Sequence, residues 1–522
     1  MNTTSAAHRS FFSPRPLLIF TLVLLFGLGF GIRLYQLTNL PLDFQPTRQL
    51  LSMLKARGMY YAAAGAPDIA PWQRQMAIQQ WKTRADVEPS ILENIVAFTY
   101  RFTGEHFWIA RLYSSLFWVI GGIFLFLLVR DLISPDGAVI AAAYYLFFPY
   151  AVIASRSFQP DPFMVMSILS FWWAFQRWIS RTSDASPIGK GVGAKGWLWA
   201  IAAGLFGGLA ILIKFSAAFF VIGAALGLGL GKNPWRDLIR SPQAWVMALL
   251  GILPAAAYLY DGLILNNFLR QQFGGRFFPS LLVSPINYIN WESQAALAAG
   301  GLAIMLGLLG LFFVRDRSAR FFLYGLWGMY ILYGLYFDYH IATHDYYQLP
   351  FIPIVAVSLA PLADWFLARL AELSAGRRLR MAALVFLAFG LFSALWDVRN
   401  TLKSVDYRPQ AAMWAEIGDR LGHGPGVVAL TQDYGQRLNY WGWQNADIWP
   451  NSGDIDYHEL RGASFNSTRN FVRMTSGKNF FLVTDFSELD RQAALKQSLS
   501  VFPVYAQGAG YVIYDLRNPP PP

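Results

Sequence analysis

Residues 17–37 begin Leu17-Leu18-Ile19-Phe20-Thr21-Leu22-Val23-Leu24-Leu25-Phe26 and carry no charge before Arg33. A hydrocarbon core about 30 Å thick needs about 20 mainly apolar helical residues, so this stretch predicts a spanning helix. Arg9 and Arg15 precede it, as in a secretory signal, but no small-residue cleavage site follows and the stretch runs into Arg33-Leu34-Tyr35. It reads as an uncleaved first helix. Working outward, ten more stretches pass the same test, at 108–129, 137–154, 162–179, 197–213, 215–231, 243–265, 294–314, 321–338, 346–367 and 381–398. The prediction is an α-helical polytopic membrane protein with about eleven spans.

Composition agrees. Of 522 residues 55% are hydrophobic and 14% charged, against about 25% charged in soluble proteins, and the mean hydropathy is +0.35. These values exclude an ordinary soluble enzyme. The 19 Trp and 25 Tyr suit a chain with two membrane interfaces to line. A net charge of +11 would suggest nucleic acid in a soluble chain; here it concerns sidedness, and no nucleic-acid partner is expected. Cysteine is absent, which removes disulfides, thiolate metal sites and thiol nucleophiles.

Lys and Arg in short loops set orientation. With the N-terminus inside, inner loops hold Arg177, Arg181, Lys190 and Lys195, then Lys232, Arg236 and Arg240, then Arg315, Arg317 and Arg320, then Arg369, Arg377, Arg378 and Arg380. Short outer loops hold only Arg156, Lys214, Arg270 and Arg276. The absence of cysteine and a plain N-terminus suit a plasma membrane, and the Lys and Arg bias predicts a cytoplasmic N-terminus with residues 1–400 as the transmembrane domain. Its long first outer loop is 38–107, and residues 401–522 form a small extracytoplasmic domain. In that tail the strand-like runs Val427–Leu430 and Phe480–Val483 alternate with helical stretches at 409–421 and 487–498, which reads as α/β.

Ionisable groups at a membrane edge are costly and mark function by default. On the predicted outer side they are Asp43, Glu88 and Glu93, Arg156 and Asp161, Lys214, Arg270 and Arg276, and the run His340, His344, Asp345, Tyr346 and Tyr347. Each has a plain structural reading too. Asp43 could cap a helix starting near Pro46, Lys214 could snorkel, and Arg270 and Arg276 could meet lipid headgroups. His340 and His344 are four apart, as metal ligands on one helix face would be, but no clear third ligand accompanies them and no metal is assigned. The run Gly189-Lys190-Gly191-Val192-Gly193 lacks the strand and the Gly-Lys-Ser/Thr ending of a phosphate loop and reads as a linker. Tyr440-Trp441-Gly442-Trp443 and Trp449 suit either sugar stacking or core packing.

The order of these pieces resembles the GT-C membrane glycosyltransferases, in the protein O-mannosyltransferase and lipid A aminoarabinose transferase branch. The carriers are Asp43 after the first helix, Glu88-Pro89-Ser90-Ile91, Ala110-Arg111-Leu112-Tyr113, Ser155-Arg156 with Pro160-Asp161, Gly208 through Lys214, and His344-Asp345-Tyr346-Tyr347-Gln348-Leu349-Pro350. Two positions depart from the branch. Its frequent Asp-Glu reads Asp43-Phe44 here, and its His-Pro-Pro reads Val87-Glu88-Pro89.

The resemblance implies an inverting transferase that moves a sugar from a polyprenyl-phosphate donor to an acceptor hydroxyl. Asp43 is then the general base. Because phosphate leaves as an anion, cations can replace a general acid, and Lys214, Arg270 and Arg276 are assigned to hold it. Glu88 and Asp161 are assigned to position sugar or acceptor, or to orient Arg156 in the substrate site, with His344 and Tyr346 completing the wall. No cofactor is required by this scheme; a divalent metal is compatible with it but not indicated. The other classes open to the sequence are a transporter or flippase of lipid-linked sugars and a non-catalytic scaffold. A transporter would favour midplane charges and internal repeats, and neither is visible.

Overall fold

The computed structural model describes residues 10–65, 67–84, 88–184, 194–232, 238, 240–270, 277–373 and 377–517. The chain divides into two compact units. One comprises residues 1–37, 85–91 and 108–404, the other residues 38–84, 92–107 and 405–522.

The first unit is helical, and all eleven predicted stretches lie on helix. Among the described residues six helices are long and apolar enough to cross a membrane, including Arg15–Leu34 and Trp108–Leu132. Two predicted spans are bent pairs: Pro135–Phe147 with Pro149–Ser155 turns by 61°, and Pro285–Ala299 with the helix from Gly301 turns by 89°. The straight spans expected at 137–154 and 294–314 are therefore broken, for reasons written in their sequences. Pro149 has no N–H, which deprives the carbonyl of Tyr145 one turn earlier of its helical donor. The indole N–H of Trp118 donates to that carbonyl instead, at 3.1 Å. The next carbonyl, of Leu146, accepts from Nη1 of Arg33 at 3.0 Å, and Nε of Arg33 donates to Ser155 Oγ at 2.7 Å. At the second break Gly300 has φ +78°, and a Cβ there would stand 2.9 Å from the ring of Phe148, so both backbone and space call for glycine.

Helices Ala217–Lys232 and Arg317–Tyr336 cross with almost no side chain between them. A Cβ on Gly325 would lie 2.2 Å from the carbonyl oxygen of Gly223, and one on Gly227 2.5 Å from that of Phe321. Small residues four apart let membrane helices approach until backbones touch. Gly325→Leu is expected to destabilise the unit by about 1–3 kcal/mol or more, since the backbones must separate. A lowered melting temperature in detergent checks it, and an unchanged one contradicts the close crossing.

The second unit contains a five-stranded sheet of order β2-β1-β3-β5-β4. The strands are β1 Val427–Leu430, β2 Asp447–Ile448, β3 Phe480–Val483, β4 Val504–Gly508 and β5 Tyr511–Asp515. β1 pairs parallel with β2 and β3, while β5 pairs antiparallel with β3 and β4. Every residue of β1 and β3 is buried, because both sheet faces are covered. Val428, Leu430, Phe481 and Val483 pack with Trp449 and Leu495 on one face. Val427, Ala429, Phe480 and Leu482 pack with Trp414, Ile417 and Leu438 on the other. Trp449 is thus a core residue, 1% exposed.

Helices of the first-loop sequence belong to this unit, chiefly Pro46–Ala62, Pro71–Lys82 and Ile91–Thr103. The first two cross at Gly58, where a Cβ would come 2.2 Å from Cβ of Trp81. Asn39 joins loop to tail, donating to the carbonyl of Val405 at 2.8 Å and accepting from the amide of Tyr407 at 2.9 Å.

Candidate active site

In the membrane unit the two stretches predicted on either side of Lys214 are the helices Ala194–Ile213 and Ala217–Lys232. Lys214 lies in the break and its side chain is only 10% exposed. Its ammonium donates to Oδ1 of Asp161 at 2.8 Å. Asp161 is the first residue of helix Asp161–Asp184, between Pro160 and Pro162, where the helix dipole favours an anion. It is 1% exposed, and among the described residues its Oδ2 has no hydrogen-bond partner.

A third segment closes on this pair. The short helix Asp338–Thr343 runs into a 3-10 turn, Asp345–Gln348. That turn sets the rings of Tyr346 and Tyr347 at 4.9 and 5.0 Å from Nζ of Lys214, within cation–π range. Buried Gln348 fixes the turn, accepting from the hydroxyl of Tyr330 at 2.8 Å and donating to the carbonyl of Ile341 at 3.2 Å. The hydroxyl of Tyr333 donates to the carbonyl of Tyr347 at 3.2 Å. His344 stands beside Tyr346 with ring centres 5.6 Å apart, and its Nδ1 meets Thr343 Oγ1 at 2.8 Å. Tyr150 is in electrostatic contact with Asp345, Asp161 and Tyr346.

Of the residues singled out from sequence, Asp161, Lys214, His344 and Tyr346 therefore gather in one cluster. Arg156 is engaged otherwise. Its guanidinium donates to the carbonyls of Tyr35 and Gln36 at 2.7 and 2.9 Å, the two residues that follow the end of the first helix at Leu34. Glu88 is half-buried just before helix Ile91–Thr103, Arg270 is exposed, and Arg276 and the run 189–193 lie outside the described residues. Among the described residues no group of three His, Asp or Glu is arranged to hold a metal. Sequence reading missed Arg33, which is buried with four apolar turns before it; an isolated cation at the end of an apolar span was the available signal.

In the second unit Asp43 is half-buried in a tight turn between buried Leu42 and Phe44. Gln45 follows with φ +42° and occupies the N-cap of helix Pro46–Ala62, so the capping position expected for Asp43 is taken. Gln49 donates to the carbonyl of Phe44 at 2.6 Å and holds the turn. One residue into that helix, Thr47 Oγ1 donates to Asp433 at 3.1 Å. Asp433, Tyr434 and Gly435 have φ of +54°, +52° and +70° in succession. Two non-glycine residues in the left-handed region cost of order 1–3 kcal/mol each and persist only where surroundings hold them. Arg437 and Thr47 grip Asp433, and Asp454 accepts from the hydroxyl of Tyr434 at 2.8 Å. The sequence offered no signal for this strained turn beside the Asp43 helix.

The same unit has a buried ion pair. Arg57 donates to Glu105 at 2.7 Å and to the carbonyl of Tyr440 at 2.5 Å, and its guanidinium lies 3.6 Å from the ring of Tyr440 and 4.4 Å from that of Trp443. Burial pulls the Arg57 pKa down, but the charge and hydrogen bond of Glu105 together with Tyr440 and Tyr61 outweigh this and hold it above its ordinary value. Tyr440 also donates to Glu105 at 2.7 Å. The aromatic run 440–443 thus packs on a cation of the first loop. Glu105→Ala, which strands that cation, is expected to cost about 3–5 kcal/mol. Urea unfolding checks this; a loss under 1 kcal/mol would contradict the pair's role.

Residues 88–260 match the family of dolichyl-phosphate-mannose-protein mannosyltransferases. In structure the chain is similar to ArnT from Cupriavidus metallidurans in the apo state, with TM-score 0.55 and 12% identity over 96% of this chain and 97% of that one. ArnT bound to undecaprenyl phosphate gives TM-score 0.53 at 12% identity, with the same coverage of both chains. The archaeal oligosaccharyltransferase AglB from Archaeoglobus fulgidus, in complex with an inhibitory peptide and a dolichol-phosphate, gives 0.52 at 12% identity over 95% and 74%. No curated protein matches the chain in sequence. With apolar helices long enough to cross a membrane and the fold it shares with ArnT and AglB, the chain has the architecture of a multi-pass membrane protein, and its residues 88–260 are similar to the mannosyltransferase family.

Proposed function

We propose that the protein is an inverting glycosyltransferase that takes a sugar from a polyprenyl-phosphate carrier and transfers it to an acceptor hydroxyl on the extracytoplasmic face of the plasma membrane. The N-terminus is then cytoplasmic and residues 401–522 extracytoplasmic, as the Lys and Arg distribution favours. The observation that carries the reading is the buried Lys214–Asp161 pair under Tyr346 and Tyr347. Such a group of charges and aromatic hydroxyls is costly at a membrane helix break unless it meets a polar ligand. The lipid carriers bound by ArnT and AglB support a carrier of the same chemistry here.

The acceptor oxygen attacks C1 of the sugar as the bond from C1 to the phosphate oxygen breaks. The acceptor proton passes to the carboxylate of Asp43, and the electron pair of the broken bond leaves on the phosphate. Attack and departure on opposite faces invert C1. Lys214, with Arg270 and Arg276, offsets the charge that grows on the phosphate. Glu88, Asp161, His344 and Tyr346 contact sugar or acceptor. Arg156 acts by holding the end of the first helix.

Binding of the carrier alone tests this reading. Undecaprenyl phosphate is expected to bind the purified protein at least about tenfold more tightly than undecaprenol, because hydrogen bonds to a charged group contribute about 1.5–3 kcal/mol. Equal affinity for the uncharged alcohol would remove the phosphate site.

A further inference from the structure

Helix Arg377–Lys403, the last of the membrane unit, leaves much of its surface open, with Phe386 75%, Phe389 65% and Trp396 50% exposed. Between it and the first helix lies a cavity of about 350 Å³. Leu28, Gly31 and Leu395 form its walls, and Tyr35, Trp396 and Arg399 stand at one end. At that end the two helices are joined by Val398 and Leu402, which are buried against Val152 with Ile32 and Tyr35 alongside.

The charge pattern sets the depth of this end. The apolar run 381–396 is bounded by Arg378 and Arg380 on one side and by Asp397, Arg399 and Lys403 on the other. Arg399 therefore lies where a spanning helix meets water, and Trp396 and Tyr35 are the aromatic residues that favour that boundary. The guanidinium is 5.0 Å from the ring of Trp396 and 5.8 Å from that of Tyr35. Its polar contact among the described residues is an amide oxygen, Asn400 Oδ1 at 3.5 Å, rather than a carboxylate.

We propose that this groove holds one anionic phospholipid of the surrounding bilayer, with an acyl chain between the two helices and the phosphate on Arg399. A cation facing an amide, flanked by two rings and standing over apolar walls, is complementary to an amphiphile with a negative head. A zwitterionic lipid brings its own ammonium next to the phosphate, which the guanidinium repels. The helices that carry Asp161 and Lys214 do not line the groove, so this lipid is distinct from the sugar donor.

Native mass spectrometry of the full chain in detergent tests the proposal, with palmitoyl-oleoyl phosphatidylglycerol and the matching phosphatidylcholine as probes. One phosphatidylglycerol per chain should be retained about fivefold over phosphatidylcholine. Arg399→Gln should bring the ratio to about one. A Cβ on Gly31, which lines the groove, meets nothing within 4 Å, so Gly31→Trp should put its ring into the groove and abolish retention of both lipids. Equal retention of the two lipids by the unaltered chain, or full retention of phosphatidylglycerol by both variants, overturns the proposal. Displacement of phosphatidylglycerol by equimolar undecaprenyl phosphate overturns it as well, since the groove would then belong to the carrier. Both variants should still bind undecaprenyl phosphate as the unaltered chain does, which separates this site from the donor site.

Discussion

Asp43→Asn is expected to lower sugar transfer by about 10²-fold or more, the range for losing a positioned general base. The amide keeps the shape of the carboxylate and removes its ability to take a proton. The turn that carries it should survive, because it is held by Gln49 on the carbonyl of Phe44 and by the buried side chains of Leu42 and Phe44. Melting temperature and undecaprenyl phosphate binding should therefore match the unaltered protein. A uniform loss of binding would make Asp43 a contact to donor rather than a base. Near-normal turnover would remove it from the chemistry altogether.

The second large effect concerns Lys214. Lys214→Met leaves Asp161, 1% exposed, as a buried carboxylate without its counter-ion, and stranding one member of a buried pair costs about 3–5 kcal/mol. Carrier binding should fall with it. The double variant Lys214→Met with Asp161→Asn should recover much of the stability, because no unpaired charge is left, yet it should not recover carrier binding. That split separates stability from function. If Lys214 were a snorkelling cation its loss would move stability by no more than about 0.5 kcal/mol, and the double variant would add nothing.

Much of the helical unit was legible because the bilayer imposes one rule on every span. Apolar runs of sufficient length must be helical, since backbone groups in hydrocarbon have no other partner. The breaks at Pro149 and Gly300 were written in the sequence too, but a hydropathy reading passes over them: both neighbouring stretches are apolar, and only the missing N–H and the positive φ distinguish them. In the sheet, β1 and β3 were legible as continuous apolar runs, the pattern of strands covered on both faces. β2 has two residues and β4 is largely exposed, so neither leaves such a run.

The candidate site was legible as a list of residue types and not as contacts. Lys214 and Asp161 stood out as charges among apolar neighbours, but their pairing joins two different helix ends. Arg156 looked the same in sequence and proves to bind the carbonyls just past the first helix, a role that only tertiary structure distinguishes. The grouping of the first loop with the C-terminal residues was hidden for the same reason. It rests on side chains such as Arg57, Glu105 and Tyr440, which are far apart in sequence and meet only after folding.

The central claim is that a polyprenyl monophosphate carries the sugar to this site. Lipid extraction and mass spectrometry of purified Asp43→Asn protein test it most directly, because that variant should bind donor and fail to consume it. The account predicts a co-purifying polyprenyl phosphate bearing a single sugar. A protein that holds phospholipid but no polyprenyl species, or one that holds a diphosphate-linked oligosaccharide, would contradict it.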